Sequence, residues 1–229
     1  MNPLLVALDL PELDAAEDLA RVLLPHVGGF KVGLELLMSE GPTAVSRIAS
    51  LGLPVFADAK LHDIPNTAGA AARALSARGA RWVTAHALGG RAMLEAVAEG
   101  LGEGAGLLAV TVLTSIGDDE LETLEGSETV ASQVRRLAGL ALSAGAEGVI
   151  CAVDEVGTVR EVSNELLVVT PGIRTDVGER HDQRRVATPE EAMAAGADLI
   201  VVGRAVTGSP DPVASASRIV DLASRSRSV

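Results

Sequence analysis

The stretch VFADAKLHDIPNT, residues 55–67, combines a run that is apolar enough for a buried β-strand with an Asp and a Lys two residues apart. Side chains at positions i and i+2 of a strand share a face, so Asp58 and Lys60 are predicted to point the same way, with Asp63 just past the strand end. Burying charged groups is costly unless they are paired. The stretch therefore indicates either a structural ion pair or a functional cluster of charges inside an α/β fold.

Short apolar runs recur along the whole chain, with helical patterns between them. Strands are predicted over residues 4–8, 29–32, 55–61, 82–85, 107–111, 148–151, 166–170 and 199–202. Helices are predicted over residues 13–24, 42–50, 64–78, 92–99, 130–144, 154–162, 189–195 and 212–223. Eight strands, each followed by a helix, is the count of a (β/α)8 TIM barrel. We expect one such domain over residues 1–229.

Local signals support these boundaries. Four glycines each follow a predicted helix and precede a predicted strand, as glycine C-caps do: Gly52, Gly79, Gly145 and Gly196. The sequence TPEE at residues 188–191 is typical of an N-cap followed by Pro at the first helical position. An open doubly wound sheet would normally carry a Gly-rich fingerprint after the first strand, where this chain has DLPE at residues 9–12.

Composition narrows the class of protein. Hydrophobic residues make up 48% of the chain and aromatic residues only 1%, which is typical of parallel strands covered by helices. The net charge of −12 argues against a nucleic-acid or anionic-membrane partner. No apolar stretch reaches the ~20 residues of a membrane span, and the N-terminus resembles a first strand rather than a signal peptide, so a cytoplasmic protein is expected. The single Cys151 excludes an internal disulfide and is predicted to be a buried strand residue.

Polar residues concentrate at the predicted carboxyl ends of the strands, where TIM barrels place their active sites. They are Asp9, Lys31, Asp58, Lys60, His86, Thr114, Ser115, Arg174 and Arg204. Only two of the 19 basic residues are lysines, Lys31 and Lys60. An ammonium can give up and regain a proton, whereas a guanidinium cannot be deprotonated in a protein. We interpret Lys60 as a proton donor and Lys31 as its electrostatic partner, although codon bias alone could also leave two lysines.

The last two strand-to-helix loops are candidates for phosphate binding. They read TPGIR at residues 170–174 and VGRA at residues 202–205, each with a glycine close to an arginine. The polar segment 175–187 is interpreted as a lid, with Gln183 as a candidate ligand contact and a plain surface loop as the alternative. The acidic segment 117–128 could form a second, smaller flap.

A metal site is the competing interpretation of the same residues. Asp58, His62 and Asp63 could be metal ligands, but the ammonium of Lys60 among them would repel a divalent cation. We therefore expect no catalytic metal, and we expect His62 and His86 to make hydrogen bonds that hold the strand ends.

The pattern Asp58-x-Lys60-x-x-Asp63-Ile64-x-x-Thr67 resembles that of the orotidine 5′-phosphate decarboxylase family. Asp9, Lys31 and the segments 111–115, 170–174, 182–183 and 202–204 extend the resemblance in order over essentially the whole chain. The resemblance implies loss of CO₂ from C6 of orotidine 5′-monophosphate, the last step of de novo UMP synthesis, with no cofactor and no metal. It also implies a homodimer with shared active sites.

The resemblance further implies a role for each matching residue. Lys31, Asp58, Lys60 and Asp63 would form the catalytic charges, with Lys60 protonating C6 and Asp58 crowding the substrate carboxylate. Asp63, Ile64 and Thr67 would act across a dimer interface. Asp9 and Lys31 would hold ribose hydroxyls, Thr114 and Ser115 would lie by the pyrimidine, Gln183 would bridge base and phosphate, and Arg174, Gly203 and Arg204 would contact the phosphate.

Two other functions fit the same residues. A metal-dependent relative, such as a keto-sugar-phosphate decarboxylase or hexulose-phosphate synthase, shares the Asp-x-Lys-x-x-Asp core but needs a divalent ion. A non-catalytic barrel that binds a phosphorylated ligand would keep the phosphate loops without turnover.

Overall fold

Eight parallel strands close into a barrel in chain order, each hydrogen-bonded to the next and the last to the first. The computed structural model describes residues 2–125, 129–174 and 185–225. The strands are β1 (Leu4–Ala7), β2 (Gly29–Val32), β3 (Val55–Leu61), β4 (Ala80–His86), β5 (Gly106–Val110), β6 (Gly148–Ile150), β7 (Leu167–Thr170) and β8 (Leu199–Val202). All eight predicted strands are present, and the predicted TIM barrel is confirmed.

Helices follow the strands around the outside of the barrel. They are α1 (Leu13–Leu23), α2 (Leu34–Glu40), α3 (Thr43–Ala49), α4 (Pro65–Ser76), α5 (Arg91–Gly100), α6 (Asp118–Glu125), α7 (Val130–Ser143), α8 (Val156–Val162), α9 (Pro189–Ala195), α10 (Arg204–Thr207) and α11 (Pro212–Arg225). The eight predicted helices correspond to α1, α3, α4, α5, α7, α8, α9 and α11. The sequence analysis missed α2, α6 and α10, and the segment expected to be an acidic flap is largely the helix α6.

Capping explains several helix boundaries. The four glycines predicted as C-caps all have positive φ values, between 79° and 100°. At the start of α9, the Glu191 amide donates to the Thr188 hydroxyl at 3.2 Å, and the Thr188 amide donates to the Glu191 carboxylate at 2.8 Å. This reciprocal pair satisfies amides that the first helical turn leaves without partners.

The core has two layers. The larger layer lies between the strands and the helices and is built almost entirely from Ala, Val, Leu and Ile. A smaller cluster fills the inside of the barrel and consists of Leu5, Ala7, Phe56, Trp82, Leu108, Val169, Leu199 and Val201. Within the described ranges, no helix is long and apolar enough to cross a membrane.

The pairing of β3 with β4 is irregular where β3 carries its charges. The register steps from residue 57 opposite 83 to residue 61 opposite 85, so residues 58–60 lie opposite Thr84 alone. Lys60 has a φ of 48°, the only positive φ of a non-glycine residue in the described part of the chain. A left-handed conformation costs an L-residue about 1–2 kcal/mol. Asp58 and Lys60 do meet as predicted, with Nζ 2.7 Å from Oδ2, but through this bulge and not through regular strand alternation.

Candidate active site

A cavity of about 470 Å³ opens at the carboxyl end of the strands. Its floor includes Ala7, Phe56 and Val201 from the inner core cluster. Eight residues predicted to form the site line it: Asp9, Lys31, Asp58, Lys60, Thr114, Arg174, Gly203 and Arg204. The structure thus brings together side chains from both ends of the sequence.

Asp9, Lys31, Asp58 and Lys60 form a continuous charge cluster on one side of this cavity. Lys31 Nζ lies 2.8 Å from Asp9 Oδ1 and 3.5 Å from Asp58 Oδ2. Lys60 Nζ lies 2.7 Å from the same Asp58 oxygen. Two ammonium groups therefore converge on one carboxylate oxygen. The negative charge of Asp58 offsets the repulsion between the two lysines.

Asp58 is the central residue of the charge cluster and is only 8% exposed. Burial alone would raise its pKa, but the charges of Lys31 and Lys60 and hydrogen bonds from Lys60 and Thr84 outweigh burial, so the pKa of Asp58 lies below its usual value. Asp58 is therefore a carboxylate at neutral pH, and both of its oxygens are engaged.

Gly33, just after β2, provides the space in which Lys31 reaches Asp9. A Cβ at this position would lie 2.4 Å from both Lys31 Nζ and Asp9 Oδ1. Sequence reasoning missed this residue, although a glycine two positions after a predicted functional lysine is a signal for close packing.

The second basic feature of the cavity is an arginine pair, Arg174 after β7 and Arg204 after β8. In a closed ring of eight strands, β7 lies across the barrel axis from β3, so Arg174 and Lys60 occupy opposite sides of the mouth. The cavity lining holds four basic side chains and three acidic ones, Asp9, Glu35 and Asp58, so its formal charge is +1. A positive cavity in a chain of net charge −12 suits an anionic ligand.

Comparison with known proteins finds similar sequences and a similar fold over nearly the whole chain. The model of the "Orotidine 5'-phosphate decarboxylase / HUMPS family" matches residues 2–219. The chain belongs to this family. Orotidine 5′-phosphate decarboxylase from Anaeromyxobacter sp. (strain K) is 50% identical over 214 residues, which cover 93% of this chain and 94% of the relative. The enzyme of the same name from Novosphingobium aromaticivorans is 44% identical over 218 residues, covering 95% and 97% of the two chains.

A solved structure supports the family assignment. The crystal structure of orotidine 5′-phosphate decarboxylase from Lactobacillus acidophilus superposes with a TM-score of 0.84 at 38% identity. The match covers 97% of this chain and 99% of that structure.

Some residues that resemble the family's site lie away from the cavity. Asp63, Ile64 and Thr67 are exposed at the start of α4 and do not line it. Asp63 Oδ1 accepts a hydrogen bond from the Ile64 amide at 2.6 Å. Ser115 is exposed next to Thr114 but is not part of the lining. Gln183 and most of the predicted lid lie outside the described residues.

Hydrogen bonds join the described residues on either side of positions 175–184. The Arg174 amide donates to the Ala187 carbonyl at 2.9 Å, and the Ala187 amide donates to the Gly172 carbonyl at 3.2 Å. Arg185 forms an ion pair with Glu155 and donates to the Leu113 carbonyl at 2.8 Å. The Arg185 side chain therefore links the residues before α9 to the loop after β5, a contact that the sequence analysis did not predict.

The two histidines near Lys60 do not act as predicted. The rings of His62 and His86 lie 5.5 Å apart at 37°, and no hydrogen bond within the described residues involves either imidazole. Burial and the positive charges of His62 and Lys60 lower the pKa of His86. Within the described residues the two rings pack against each other, and the prediction that they hold the strand ends by hydrogen bonds has no support there.

Cys151 follows β6, is 1% exposed and borders the cavity floor. Burial raises the pKa of its thiol, so at neutral pH it is a buried thiol and not a thiolate nucleophile. The prediction of a buried residue is confirmed, although Cys151 lies just beyond the strand.

Proposed function

We propose that this protein decarboxylates orotidine 5′-monophosphate to UMP, with Lys60 as the proton donor. The observation that supports the proposal is that the Lys31–Asp58–Lys60 contacts and the arginine pair line one cavity. The charge cluster fits the reacting carboxylate and C6, and the arginine pair fits the phosphate. The names of the relatives supply the substrate.

The reaction breaks the bond between C6 and the carboxylate carbon and leaves the electron pair on C6. No ring position delocalises that pair, so a nearby positive charge must stabilise it. The Lys60 ammonium provides this charge and then donates a proton to C6, forming the C–H bond of UMP. Asp58 is held as a carboxylate next to the departing carboxylate, and its repulsion is relieved when neutral CO₂ leaves.

The remaining contacts follow from the resemblance. Asp9 and Lys31 bind ribose hydroxyls, Thr114 and Ser115 lie beside the pyrimidine, and Gln183 bridges the base and the phosphate. Arg174, Gly203 and Arg204 bind the phosphate. Gly203 supports this role because a Cβ there would meet nothing closer than Ala7 at 3.6 Å and Asp9 at 3.9 Å, so the glycine leaves open space within the cavity.

Asp63, Ile64 and Thr67 act in the active site of a second subunit in this proposal. All three are exposed and outside their own cavity, which is the placement that sharing requires. Ile64 is 66% exposed and Leu88, after the neighbouring strand, is 46% exposed. Apolar side chains exposed beside a charged functional residue fit a surface that a partner covers.

Replacing Arg204 with Ala is expected to weaken the hold on the phosphate. Hydrogen bonds to charged groups contribute about 1.5–3 kcal/mol each, so losing two lowers kcat/KM by about 10²- to 10⁴-fold. Arg218→Ala is the matched control, since Arg218 shares a shallow outer groove with Arg204 but does not line the cavity. Turnover of orotidine, which lacks the phosphate, should change little in Arg204→Ala; an equal loss on both substrates would make Arg204 structural.

Turnover is expected to survive exhaustive chelation. Both carboxylates of the charge cluster already contact lysine ammonium groups, which repel a divalent cation. The measurement is the rate of orotidine 5′-monophosphate loss before and after dialysis against a chelator. Activity that disappears and returns with Mg²⁺, or turnover of a keto-sugar phosphate instead, would favour the metal-dependent branch of the family. If the protein turns over neither substrate, the remaining interpretation is a non-catalytic barrel that binds a phosphorylated ligand.

A further inference from the structure

Thr84 lies on β4 opposite the bulge that carries both Asp58 and Lys60. It is the single β4 residue facing residues 58–60, and it is fully buried. Its hydroxyl oxygen lies 2.9 Å from the Lys60 amide nitrogen and 3.0 Å from Asp58 Oδ1. One buried hydroxyl therefore touches both of the residues on which the proposed chemistry depends.

Chemistry fixes the direction of these two hydrogen bonds. A backbone amide can only donate, so the Lys60 N–H uses a lone pair of the Thr84 oxygen. An ionised carboxylate can only accept, so the single hydroxyl proton points to Asp58 Oδ1. The other Asp58 oxygen, Oδ2, receives Lys60 and faces Lys31. Thr84 thus occupies the side of the carboxylate that the lysines leave uncovered.

The bond to the Lys60 amide acts at a strained point of the backbone. Lys60 is the non-glycine residue with φ of 48°, in a bulge where the regular ladder between β3 and β4 is interrupted. Strained conformations persist only where surrounding contacts hold them. The Thr84 hydroxyl oxygen accepts the hydrogen bond that the Lys60 amide would donate to a backbone carbonyl in a regular ladder. The same hydroxyl donates to Asp58, so it connects the Lys60 backbone with the carboxylate that the Lys60 ammonium contacts.

We propose that Thr84 is a positioning residue of the active site, which sets the orientation of the Asp58 carboxylate and the backbone of Lys60 through its hydroxyl. This inference rests on the proposed function of Asp58 and Lys60. Thr84 does not line the cavity, so it acts only through these two residues.

The test is Thr84→Val, which keeps the shape of the side chain and removes the hydroxyl. A hydrogen bond to a charged group is lost, so kcat should fall by about 10²-fold. The affinity for UMP, measured by calorimetry, should stay within about threefold, because the phosphate and ribose contacts are elsewhere. Thr84→Ser, which restores the hydroxyl, should recover most of the wild-type kcat.

Thr111→Val is the matched control. Thr111 is also buried, and its hydroxyl donates to the Ile150 carbonyl at 2.8 Å, with no link to the charge cluster. This variant should keep kcat within a few-fold.

Three outcomes would overturn the role of Thr84. They are a Thr84→Val enzyme with nearly wild-type kcat, UMP affinity that falls in parallel with kcat, and a Thr84→Ser enzyme as slow as Thr84→Val. If Thr84→Val does not fold, Thr84→Ala replaces it, and the same changes in kcat and in UMP affinity are expected. Unfolding of both apolar variants beside a folded Ser variant would make Thr84 structural. A wild-type protein without turnover would instead refute the proposed function, so the two failures are distinguishable.

Discussion

Lys60→Arg is expected to be nearly as inactive as Lys60→Ala, with turnover reduced by at least about 10³-fold. The substitution keeps a positive charge and keeps a Cβ, so the strain at φ 48° is unchanged. It removes the ability to donate a proton, because a guanidinium is too weak an acid. It also places a wide planar group where Nζ now sits 2.7 Å from Asp58. The measurement is the turnover of orotidine 5′-monophosphate by the Lys60→Arg, Lys60→Ala and wild-type enzymes, with folding checked by thermal melt.

Lys31→Arg is the matched control for this change. Lys31 contacts Asp9 and Asp58 and is assigned a charge-balancing and ribose-binding role, so a second cation should replace part of its function. We expect the Lys31→Arg enzyme to be clearly more active than Lys60→Arg. A folded Lys60→Arg enzyme that keeps a tenth or more of wild-type turnover would show that Lys60 supplies charge only.

Mixing two inactive variants, Asp63→Asn and Lys60→Ala, is expected to restore activity. In a mixed dimer, one site combines the intact Lys60 of one subunit with the intact Asp63 of the other, and the second site lacks both. Random exchange makes half of the dimers mixed, so about a quarter of wild-type activity should return. The physical reason is the position of Asp63, which is exposed and outside the cavity of its own subunit.

Subunit exchange must be verified in the same samples, for example by mass spectrometry of differently tagged variants. Each variant incubated alone is the control and should stay inactive. Mixed dimers that form in the expected proportion and remain inactive would place Asp63 in the site of its own subunit, or outside catalysis.

The barrel could be predicted because each strand is a short apolar run, and four of the eight begin shortly after a glycine that caps the preceding helix. The missed helix α10 has only four residues. One turn holds too few residues to establish a helical period, so α10 forms through its position between longer elements. Length does not explain the missed helix α2, whose seven residues equal those of the predicted helices α3, α8 and α9. The acidic first turn of α6 suits a helix N-terminus, but its polarity alone indicated a loop.

The charged residues of the site were predictable because their chemistry is unusual in an apolar strand, whereas the residues that support them were not. Thr84 is a β-branched residue in an apolar run, which is ordinary in a strand. Its role depends on the bulge that places it opposite residues 58–60, and strand periodicity cannot reveal a change of register. Arg185 joins Glu155 across 30 positions of sequence, a pairing that only the closed barrel defines.

The most direct test of the central claim is the fate of orotidine 5′-monophosphate with an isotopically labelled carboxylate, incubated with the purified protein and a chelator in deuterium oxide. Nuclear magnetic resonance follows both products. We expect labelled CO₂ and UMP in equal amounts, with deuterium at C6 supplied through the exchanged Lys60 ammonium. Recovery of unchanged orotidine 5′-monophosphate from a folded protein would refute the proposed decarboxylation.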